Sequence, residues 1–413
     1  MKTICLMSYW SDQEPNVCAE WTSDKISAFR KLGHSVILIT SPSSTLIDSA
    51  NLEVRRVRTR LSLQTWIAEA DAMPRDNLSR GPKAPFVTKT LGRALDSIFK
   101  KLAGNESHGK WFWSFSAAIE LLKVARQKDL DLTFVTGGPS GAHFGAWMAH
   151  RFITSPLVLE FQDPFIGSQF VASNRAFAVL DKVENAFVKR ADLVITTSKG
   201  SLKNLVEKYP EQSEKLRNIY PGGGQIVTHE EKGKPVGNCS PRRLVHLGTL
   251  YASRDFDFLI EALPQAVTGA KSIDNYEILN LGYVEPELAN RYENISNVKL
   301  LPGMPRKQAL EFAGSLDGLL LIQHNDSRSD ETVPFKIYDY LNSMRPIFAL
   351  IRNPELEHLL EQDGCFVARL GDLREKQIEA FSRYLNRIES ARPIRRPQLT
   401  TAKQLEEVLR QFG

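Results

Sequence analysis

The chain has 413 residues, of which 42% are hydrophobic and 24% are charged, and its formal net charge is +5. This composition is that of a folded globular protein and excludes a disordered or low-complexity chain. The length is enough for two domains of ordinary size or for one large α/β unit.

The four cysteines, Cys5, Cys18, Cys239 and Cys365, lie far apart and form no CxxC pair. This spacing argues against a zinc site or a disulfide framework and favours a reducing compartment. The opening "MKTICLMSYW" is too short for the apolar core of a signal peptide and indicates a first strand instead. No run of about 18 apolar residues is present, so we expect a cytoplasmic protein without a membrane-spanning helix.

Positive charge is concentrated in one part of the chain. Residues 51–128 contain 15 Lys and Arg against 7 Asp and Glu, a local net charge of +8 that leaves −3 for the rest. A basic segment of this kind favours an anionic partner such as a phosphate-bearing substrate, a membrane surface or a nucleic acid. The alternative is an ordinary solvated surface.

Short apolar runs alternate with amphipathic stretches along the first half of the chain. The helical patterns are "SDKISAFRKLG", which ends at Gly33 as a natural C-cap, and "SFSAAIELLKVARQK". The tract "WFWSF" at the head of the second pattern is predicted to lie in the core. The predicted strands are "TICLMSY", "SVILIT", "LTFVTG", "LVLEF" and "LVITTS".

A segment dense in Gly and Pro, residues 223–241, separates this series from a second one and is predicted to be a linker. The second series has the strands "RLVHLG", "YEILNLG", "NVKLLPG", "GLLLIQH" and "CFVARLG", with helical patterns such as "RDFDFLIEALPQAV" and "PRKQALEFAGS" between them. Repeated βα units imply parallel sheets covered by helices. We therefore predict two doubly wound Rossmann-like domains, residues 1–222 and 242–390, facing each other across a cleft. The C-terminal segment, 391–413, contains a helix that could return to the first domain.

Ligands of such sheets bind in the loops that follow the strands, so functional residues are expected in these loops. Gly248 after "RLVHLG" allows a tight turn, and Arg254 precedes a helix, where backbone N–H groups and a guanidinium would form an anion site. The alternative is a surface Arg254 beside Asp255 or Asp257. The spacing alone does not decide between them.

The stretch "ETVPFKIYDYLNSMRPIFAL" begins after another buried strand. Glu331 and Thr332 end its polar loop, Pro334 suits a first helical turn, and Lys336 would lie where a bound anion would sit. Asp339 is one helical turn further along and could point the same way. A carboxylate suits sugar hydroxyls and a cation suits a diphosphate, so the spacing fits one ligand with both parts. The alternative is an exposed helix start with an ordinary Lys–Asp pair.

The stretches "VHLGTLYASRDFDFLIEAL" and "ETVPFKIYDYLNSMRPIFAL" together resemble the donor-binding half of GT-B glycosyltransferases, in the family 4-like, group 1 branch that builds bacterial surface polysaccharides. The likeness extends to "ISAFRKLGHSVILIT", "DLTFVTGGPSGAHFGAWMAHR" and "ADLVITTSKGSLKNL", and so covers most of the chain. It implies an acceptor-binding N-terminal domain and a donor-binding domain over 242–390.

The resemblance also implies roles for individual residues. Arg254 and Lys336 would hold the donor diphosphate, and Glu331 would face the transferred sugar. Asp339 would bind the nucleotide ribose, although the family usually has Glu at this position. Further donor contacts would come from the loops that bracket the nucleotide, at Gly248, Thr249, Gly303, Met304 and Thr332.

Acceptor and catalytic groups are expected on the N-terminal domain. Asp163 in "EFQDPF" ends a strand and could orient an acceptor hydroxyl or act as a base. The family-like pattern usually has Arg in place of Gln162. Asn16 and Glu20 are predicted to shape the acceptor site, since the usual Gly pair after the first strand is absent. Gly138 is also predicted to contact the acceptor.

A rival interpretation comes from "TGGPSGAHF", residues 136–144. Glycines between a strand and a helix, with Glu160 at the end of the next strand, imitate a dinucleotide fingerprint, although the pattern is not GxGxxG. A NAD-type dehydrogenase therefore stays open. For a transferase, His143 would lie near the reacting carbon, and the alternative for His143 is a half-buried helix residue.

The sequence thus predicts a glycosyltransferase, with retention as the expected stereochemical outcome, that moves a hexosyl or N-acetylhexosaminyl group from a nucleotide-diphosphate sugar to a glycan or lipid-linked hydroxyl. The alternatives are a nucleotide-sugar epimerase on the same fold and a non-catalytic nucleotide-sugar binding protein. We expect no cofactor and no metal, because the loop with His324, Asp326 and Asp330 matches no ligand pattern. We expect loose contact with an anionic membrane, on the inner face of the plasma membrane, and no nucleic-acid partner.

Overall fold

The computed structural model describes most of the chain. The described residues are 1–13, 16–59, 110–163, 165, 174–223, 241–267, 272–326, 329–330, 332–390 and 392–413. They form two compact units. The N-terminal unit contains Met1–Tyr220 and Thr401–Gly413, and the C-terminal unit contains Pro221–Thr400.

The N-terminal unit is built on a seven-stranded parallel sheet with the order β3-β2-β1-β4-β5-β6-β7. Strands and helices alternate along most of this unit, and β3 follows β2 without a helix between them. The elements are β1 (Thr3–Met7), α1 (Val17–Lys31), β2 (Ser35–Thr40), β3 (Leu52–Arg56), α2 (Trp111–Gln127), β4 (Leu132–Val135), α3 (Gly141–His150), β5 (Leu157–Phe161), α4 (Asn174–Arg190), β6 (Leu193–Thr196), α5 (Lys199–Lys208) and β7 (Leu216–Asn218), with a 3₁₀ turn over Pro210–Lys215.

The C-terminal unit is built on a six-stranded parallel sheet with the order β10-β9-β8-β11-β12-β13. Its elements are β8 (Arg242–Leu247), α6 (Asp257–Ala266), β9 (Tyr276–Leu281), α7 (Pro286–Tyr292), β10 (Val298–Leu301), α8 (Arg306–Gly314), β11 (Gly318–Ile322), α9 (Lys336–Asn342), β12 (Ile347–Ile351), α10 (Pro354–Leu359), β13 (Cys365–Arg369) and α11 (Arg374–Glu389), with a 3₁₀ turn over Ile273–Asn275. The last helix, α12 (Thr401–Arg410), belongs to the N-terminal unit.

Both sheets are buried on their two faces, which is why their strands are apolar runs rather than alternating ones. Every residue of β5, β11 and β12 is buried. On one face of the N-terminal sheet, Leu405 and Val408 of α12 pack in the same core as Ile26 and Phe29 of α1. The prediction of two doubly wound Rossmann-like domains is therefore confirmed.

The boundaries show where sequence patterns were incomplete. Helix α1 begins at Val17, six residues before the predicted pattern, because Asn16 caps it by accepting from the backbone N–H of Cys18 and Ala19. It ends before Gly33, whose φ of +81° supports the predicted C-cap role. The strands β3 and β7 were not predicted. The buried Trp111, Phe112 and Trp113 confirm that the aromatic tract lies in the core.

The strand order fixes where a ligand is expected in the C-terminal unit. The order of the sheet reverses between β8 and β11, which lie side by side although β9, β10 and three helices separate them in the chain. In open parallel sheets, ligands bind beyond the carboxyl ends of the strands at such a reversal. The residues that follow β8 and β11 are therefore the first place to look for a site.

Candidate functional site

Two glycines bring the backbone after β8 and β9 into close contact. Gly248 has φ +120° and Gly282 has φ +143°, conformations that side-chain-bearing residues rarely adopt. A Cβ on Gly282 would lie 2.5 Å from the carbonyl oxygen of Gly248, and the Gly248 N–H donates to the Leu281 carbonyl at 2.8 Å. The predicted tight turn at Gly248 is present, and Gly282 is a second requirement that the sequence analysis missed.

The ammonium group of Lys336 lies under this turn. Lys336 is the first residue of α9, and its Nζ lies 3.3 Å from the point that a Cβ on Gly248 would occupy. Nζ donates to the Leu247 carbonyl and to Nε2 of His246, each at 2.7 Å. Both acceptors are neutral, and none of the ion pairs found among the described residues includes Lys336.

Burial and nearby positive charge both act on Lys336. Desolvation holds its pKa well below the ordinary value, and the Arg254 guanidinium lowers that pKa further. The structure thus brings together Gly248, Arg254 and Lys336, as predicted for an anion site. An anion bound here would offset both effects and would raise the pKa of the lysine.

Arg254 is placed by the loop between β8 and α6. Its backbone forms a two-way bridge with Tyr251, and its guanidinium carbon lies 5.6 Å from the centre of the Tyr251 ring. It is half-buried. After desolvation, the charge of Arg254 is a further cause that lowers the pKa of both Lys336 and His246.

His246 and Asn280 lie behind Lys336, and the sequence analysis did not select them. Both side chains are fully buried. His246 Nδ1 and Asn280 Oδ1 are 2.7 Å apart, and Asn280 Nδ2 donates to the Gly282 carbonyl at 3.1 Å. Desolvation, followed by the charge of Lys336, holds the pKa of His246 well below its usual value, so the ring is neutral.

Asp339 is buried one turn after Lys336 and forms a bidentate salt bridge with Arg306. Arg306 Nη2 lies 2.6 Å from Asp339 Oδ1, and Arg306 Nε lies 3.1 Å from Oδ2. A Cβ on Gly223 would lie 2.9 Å from Asp339 Oδ1, so glycine is required beside this carboxylate. The contact predicted between Asp339 and a ribose stays a prediction. The two hydrogen bonds from the Arg306 guanidinium fix the orientation of the Asp339 carboxylate for such a contact.

Two buried amides hold the loop between β11 and α9. Gln323 Nε2 and Asn353 Nδ2 donate to the Thr332 carbonyl at 3.2 and 3.1 Å. Gln323 Oε1 accepts from the backbone N–H groups of Arg352 and Asn353. Thr332 is therefore held at a defined position, while its neighbour Glu331, predicted to face the transferred sugar, lies outside the described residues.

The remaining predicted donor contacts surround the same strand ends. Thr249 is half-buried immediately after Gly248. Gly303 follows β10, and a Cβ there would lie 3.8 Å from Gly282 Cα. Met304 is 37% exposed. These positions agree with loops that could bracket a nucleotide, and the predicted contacts themselves remain predictions.

The corresponding strand ends of the N-terminal unit are organised differently, around a buried carboxylate. Glu160 in β5 pairs with Lys25 at 3.0 Å, and both side chains are at most 1% exposed. Glu160 also accepts from Gln404 Nε2 at 2.8 Å and from the Thr136 hydroxyl. Because these partners occupy Glu160, it is not available to bind a ribose, which argues against the dehydrogenase interpretation.

His143 lies inside the N-terminal core rather than at a surface. It is 3% exposed, its ring packs against Phe161 and Phe187, and its Nε2 lies 2.9 Å from the Glu160 carbonyl. Burial lowers the pKa of His143 to about 4. The predicted half-buried position was wrong, because α3 packs this face against the core. The placement favours a packing role over contact with a substrate.

Asp163, Cys18 and Gly138 lie near one another beyond β4 and β5. The backbone N–H of Gly138 favours the Cys18 thiolate, while burial and then Asp163 raise the pKa of the Cys18 thiol. Asp163 is exposed, and the protein around it still excludes enough water to raise the pKa of its carboxyl group. Asn16 is occupied as the cap of α1, and Glu20 lies half-buried in the first turn of that helix.

Among the described residues, no group of three or more His, Cys, Asp or Glu side chains is arranged to hold a metal ion. Within the same residues, no helix combines the length and the apolar character needed to cross a bilayer.

Comparison with solved structures identifies the fold. No protein-family model matches the chain, and no curated protein matches its sequence. Sucrose-phosphate synthase from Thermosynechococcus elongatus is a structural match with a TM-score of 0.61 and 13% identity, over 100% of this chain and 99% of that one. Anabaena Alr3699/HepE in complex with UDP has a TM-score of 0.56 and 14% identity over the same shares. UDP-GlcNAc 2-epimerase from Methanocaldococcus jannaschii has a TM-score of 0.50 and 12% identity, again over 100% and 99%.

At such identities, structural likeness establishes the fold and leaves the chemistry to be argued from the residues. The likeness extends over the full length of the chain, and both parallel sheets take part in it. The protein therefore has the GT-B fold, with two Rossmann-like units.

Proposed function

We propose that the protein is a glycosyltransferase that moves a sugar from a UDP-type nucleotide-diphosphate donor to an acceptor hydroxyl during glycan or surface-polysaccharide synthesis. One observation carries the proposal. A lysine ammonium group, whose hydrogen bonds to other described residues all go to neutral acceptors, lies below a two-glycine turn and beside a second cation at the strand-order reversal of a GT-B unit. Such a group is suited to the diphosphate of a nucleotide sugar.

The chemical step explains why two cations are useful. Breaking the bond between the anomeric carbon and the diphosphate oxygen leaves an additional negative charge on the diphosphate. Lys336 and Arg254 would face that charge from fixed positions, and fixed charges stabilise a transition state without the cost of reorganising water. The low pKa of Lys336 in the free protein would rise as the anionic donor binds.

Neighbouring groups would orient the rest of the donor. Asp339, held by Arg306, would accept hydrogen bonds from the ribose diol. Gly303 and Met304 would bracket the nucleobase, and Thr249 and Thr332 would line the donor site. Glu331 would face the transferred sugar, a role that rests on the family resemblance alone.

The acceptor would be activated at the N-terminal unit. Asp163 has a raised pKa, which makes its carboxylate a better base than an ordinary aspartate. Glu20 and Gly138 would contribute to the acceptor site. We propose retention of configuration, for which a protein base is not essential, and a reaction that needs no metal because two cations already face the diphosphate.

An epimerase is the second candidate. The observation that favours it is the likeness to a UDP-GlcNAc 2-epimerase at a TM-score of 0.50. An epimerase would change a UDP-sugar with no acceptor present, whereas a transferase would release UDP at a rate that depends on the acceptor. A non-catalytic binding protein would bind the nucleotide sugar and leave it unchanged.

Binding of UDP, UDP-glucose and UDP-GlcNAc to the full chain tests the proposal, with GDP, UMP and uridine for comparison. A ligand that binds only the folded protein raises its melting temperature, so thermal shift followed by calorimetry gives the affinity for each. We expect diphosphates to bind more tightly than uridine, and Lys336→Met to remove most of that difference. The matched control is Lys376→Met, an exposed lysine on α11 of the same unit.

The donor that binds is then incubated with and without acceptor glycans, and the products are analysed by mass spectrometry. Acceptor-dependent release of UDP supports a transferase, and an isomerised sugar without acceptor supports an epimerase. Equal affinity of wild type and Lys336→Met for every diphosphate would contradict the proposed site.

A further inference from the structure

Asn280 and His246 are linked in a buried chain of hydrogen bonds that ends at Lys336. His246 and Asn280 are direct register partners in β8 and β9, so their side chains project from the same face of the sheet. Asn280 Nδ2 donates to the Gly282 carbonyl, Asn280 Oδ1 lies 2.7 Å from His246 Nδ1, and His246 Nε2 lies 2.7 Å from Lys336 Nζ.

The chain has only one consistent assignment of protons. The Gly282 carbonyl can only accept, so the amide nitrogen of Asn280 faces it and the amide oxygen faces His246. His246 Nδ1 must then carry the hydrogen, because Asn280 Oδ1 is an acceptor. His246 Nε2 is therefore bare and accepts from the Lys336 ammonium group, which has no lone pair to offer.

The same contacts decide how Lys336 meets a ligand. An ammonium group has three donors, and His246 Nε2 and the Leu247 carbonyl take two of them. Among the described residues no acceptor takes the third, which is therefore assigned to a ligand oxygen. Because both acceptors are neutral, they fix the direction of the group without cancelling its charge, as a carboxylate in either place would do.

We propose that His246 and Asn280 are positioning residues for Lys336: Asn280 fixes the Nδ1–H tautomer of His246, and His246 in turn aims the lysine ammonium at an anionic ligand while leaving its charge uncompensated. The ligand class, a nucleoside diphosphate, rests on the function proposed above. The chain of hydrogen bonds does not depend on that function, and it can be tested separately.

Two substitutions of His246 separate positioning from packing. In His246→Gln, the side-chain oxygen can reach close to the place of Nε2 and accept from Lys336. In His246→Leu, a side chain of similar bulk offers no acceptor. A charge-assisted hydrogen bond corresponds to roughly a 10- to 100-fold change in affinity. We expect His246→Leu to weaken UDP binding about 10-fold with little change in uridine binding, and His246→Gln to retain most of the wild-type affinity.

A double-mutant cycle identifies Lys336 as the residue through which His246 acts. If His246 only positions the lysine, His246→Leu should have no further effect on UDP affinity in a Lys336→Met background. In the catalysed reaction, His246→Leu and Asn280→Leu should lower kcat more than they raise KM for the donor. Additive losses in the double mutant, or equal affinity of wild type and His246→Leu for UDP, would overturn the proposal.

Nuclear magnetic resonance of ¹⁵N-labelled histidine tests the tautomer without any ligand. The His246 signals are assigned by their loss in His246→Gln. We expect a neutral ring at pH 7 with the hydrogen on Nδ1, and a loss of that preference in Asn280→Leu. A doubly protonated ring, or hydrogen on Nε2, would refute the chain of bonds. If wild type fails to bind any diphosphate while the Nδ1–H tautomer is found, the proposed function fails and the chain of bonds stands.

Discussion

Two buried lysines, one in each unit, are held in opposite ways. Lys25 lies on α1 of the N-terminal unit, is 1% exposed and pairs with the buried carboxylate of Glu160 at 3.0 Å. Lys336 begins α9 of the C-terminal unit and donates to a histidine ring and a backbone carbonyl. The first lysine has its charge balanced within the protein, and among the described residues the second has no carboxylate that does so.

The difference supports a structural role for Lys25 and the proposed ligand-binding role for Lys336. A buried charge is costly unless it is paired, so Lys25 and Glu160 stabilise the fold only as a pair. Leaving Lys336 beside Arg254 costs free energy, which the lowered pKa of Lys336 reflects. Uncompensated charges of this kind are found at functional sites, where a bound ligand supplies the counter-charge.

The largest expected effect is on activity. Lys336→Met should lower kcat by about 10²- to 10³-fold, the usual loss when one donor to developing charge is removed. Arg254→Ala should have a similar effect, while both variants should keep the far-UV circular dichroism of the wild type. Steady-state kinetics with the donor identified by binding would measure this. Near-normal kcat in both variants would contradict the functional role proposed for Lys336.

The second effect is on stability and concerns the other lysine. Lys25→Met should lower the free energy of unfolding by about 3 to 5 kcal/mol, because it leaves Glu160 buried without its cation. The measurement is urea unfolding at pH 7. Lys25→Met combined with Glu160→Gln should recover part of the loss, since no buried charge then remains. Lys25→Met with wild-type stability would show that the pair is not what holds Glu160.

The third effect distinguishes the lysines by pH. The folded protein lowers the pKa of Lys336, so between that pKa and about 10.4 the unfolded chain binds more protons and stability rises with pH. Below the lowered pKa of Lys336, the folded protein loses the full free energy of holding the charged lysine. This loss is about 1.4 kcal/mol for each unit by which the pKa is lowered. Lys336→Met should therefore be more stable than wild type near neutral pH, and the difference should shrink towards pH 10.

Urea unfolding of wild type, Lys336→Met and Lys376→Met at several pH values gives this difference. The free energy of unfolding of Lys376→Met should change with pH in the same way as that of wild type. A stability difference between wild type and Lys336→Met that does not change with pH would mean that the folded protein does not disfavour the charged lysine.

The fold was predictable because its signals are local and repeated. Runs such as "SVILIT" and "GLLLIQH" are apolar enough to be buried on both faces, and helical patterns between them leave a parallel sheet as the arrangement that covers them. Strand β3, "LEVRR", was missed because its charged residues leave no apolar run typical of a buried strand. Strand β7 was missed because it has only three residues. The resemblance to GT-B proteins is confirmed for the fold.

The site was predictable only where a family pattern covered it. Lys336 and Arg254 were selected from their places after predicted strands, and the family pattern then favoured a binding role over an exposed one. His246 and Asn280 were missed, although "VHLG" and "LNLG" place a polar residue two positions before a glycine in neighbouring strands. That repeated signal could have predicted their contact. The Lys25–Glu160 and Arg306–Asp339 pairs join residues more than 30 positions apart, and no periodicity connects such residues.

A weaker effect concerns charge on the surface rather than in the core. Residues 51–128 carry +8 against −3 elsewhere, although 60–109 lie outside the described residues. Each Lys or Arg near an anionic surface contributes about 1 kcal/mol, so we propose loose, salt-sensitive binding to anionic bilayers. Flotation with phosphatidylglycerol and neutral vesicles, at low and high salt, measures it. Equal recovery with both lipids, or indifference to salt, would refute the membrane proposal.

The smallest expected effect is that of a chelator, which should leave activity unchanged. If Lys336 keeps its charge for the ligand and Arg254 lies beside it, these two cations already face the diphosphate in the way that a divalent ion would. EDTA at a concentration above that of any contaminating metal should therefore not alter kcat or KM for the donor. The control is the same assay with Mg²⁺ or Mn²⁺ added back. A rate that disappears in EDTA and returns with the metal would contradict this expectation. The positive charge that faces the diphosphate would then come chiefly from a metal ion, held by the loop that follows β11, rather than from Lys336 and Arg254.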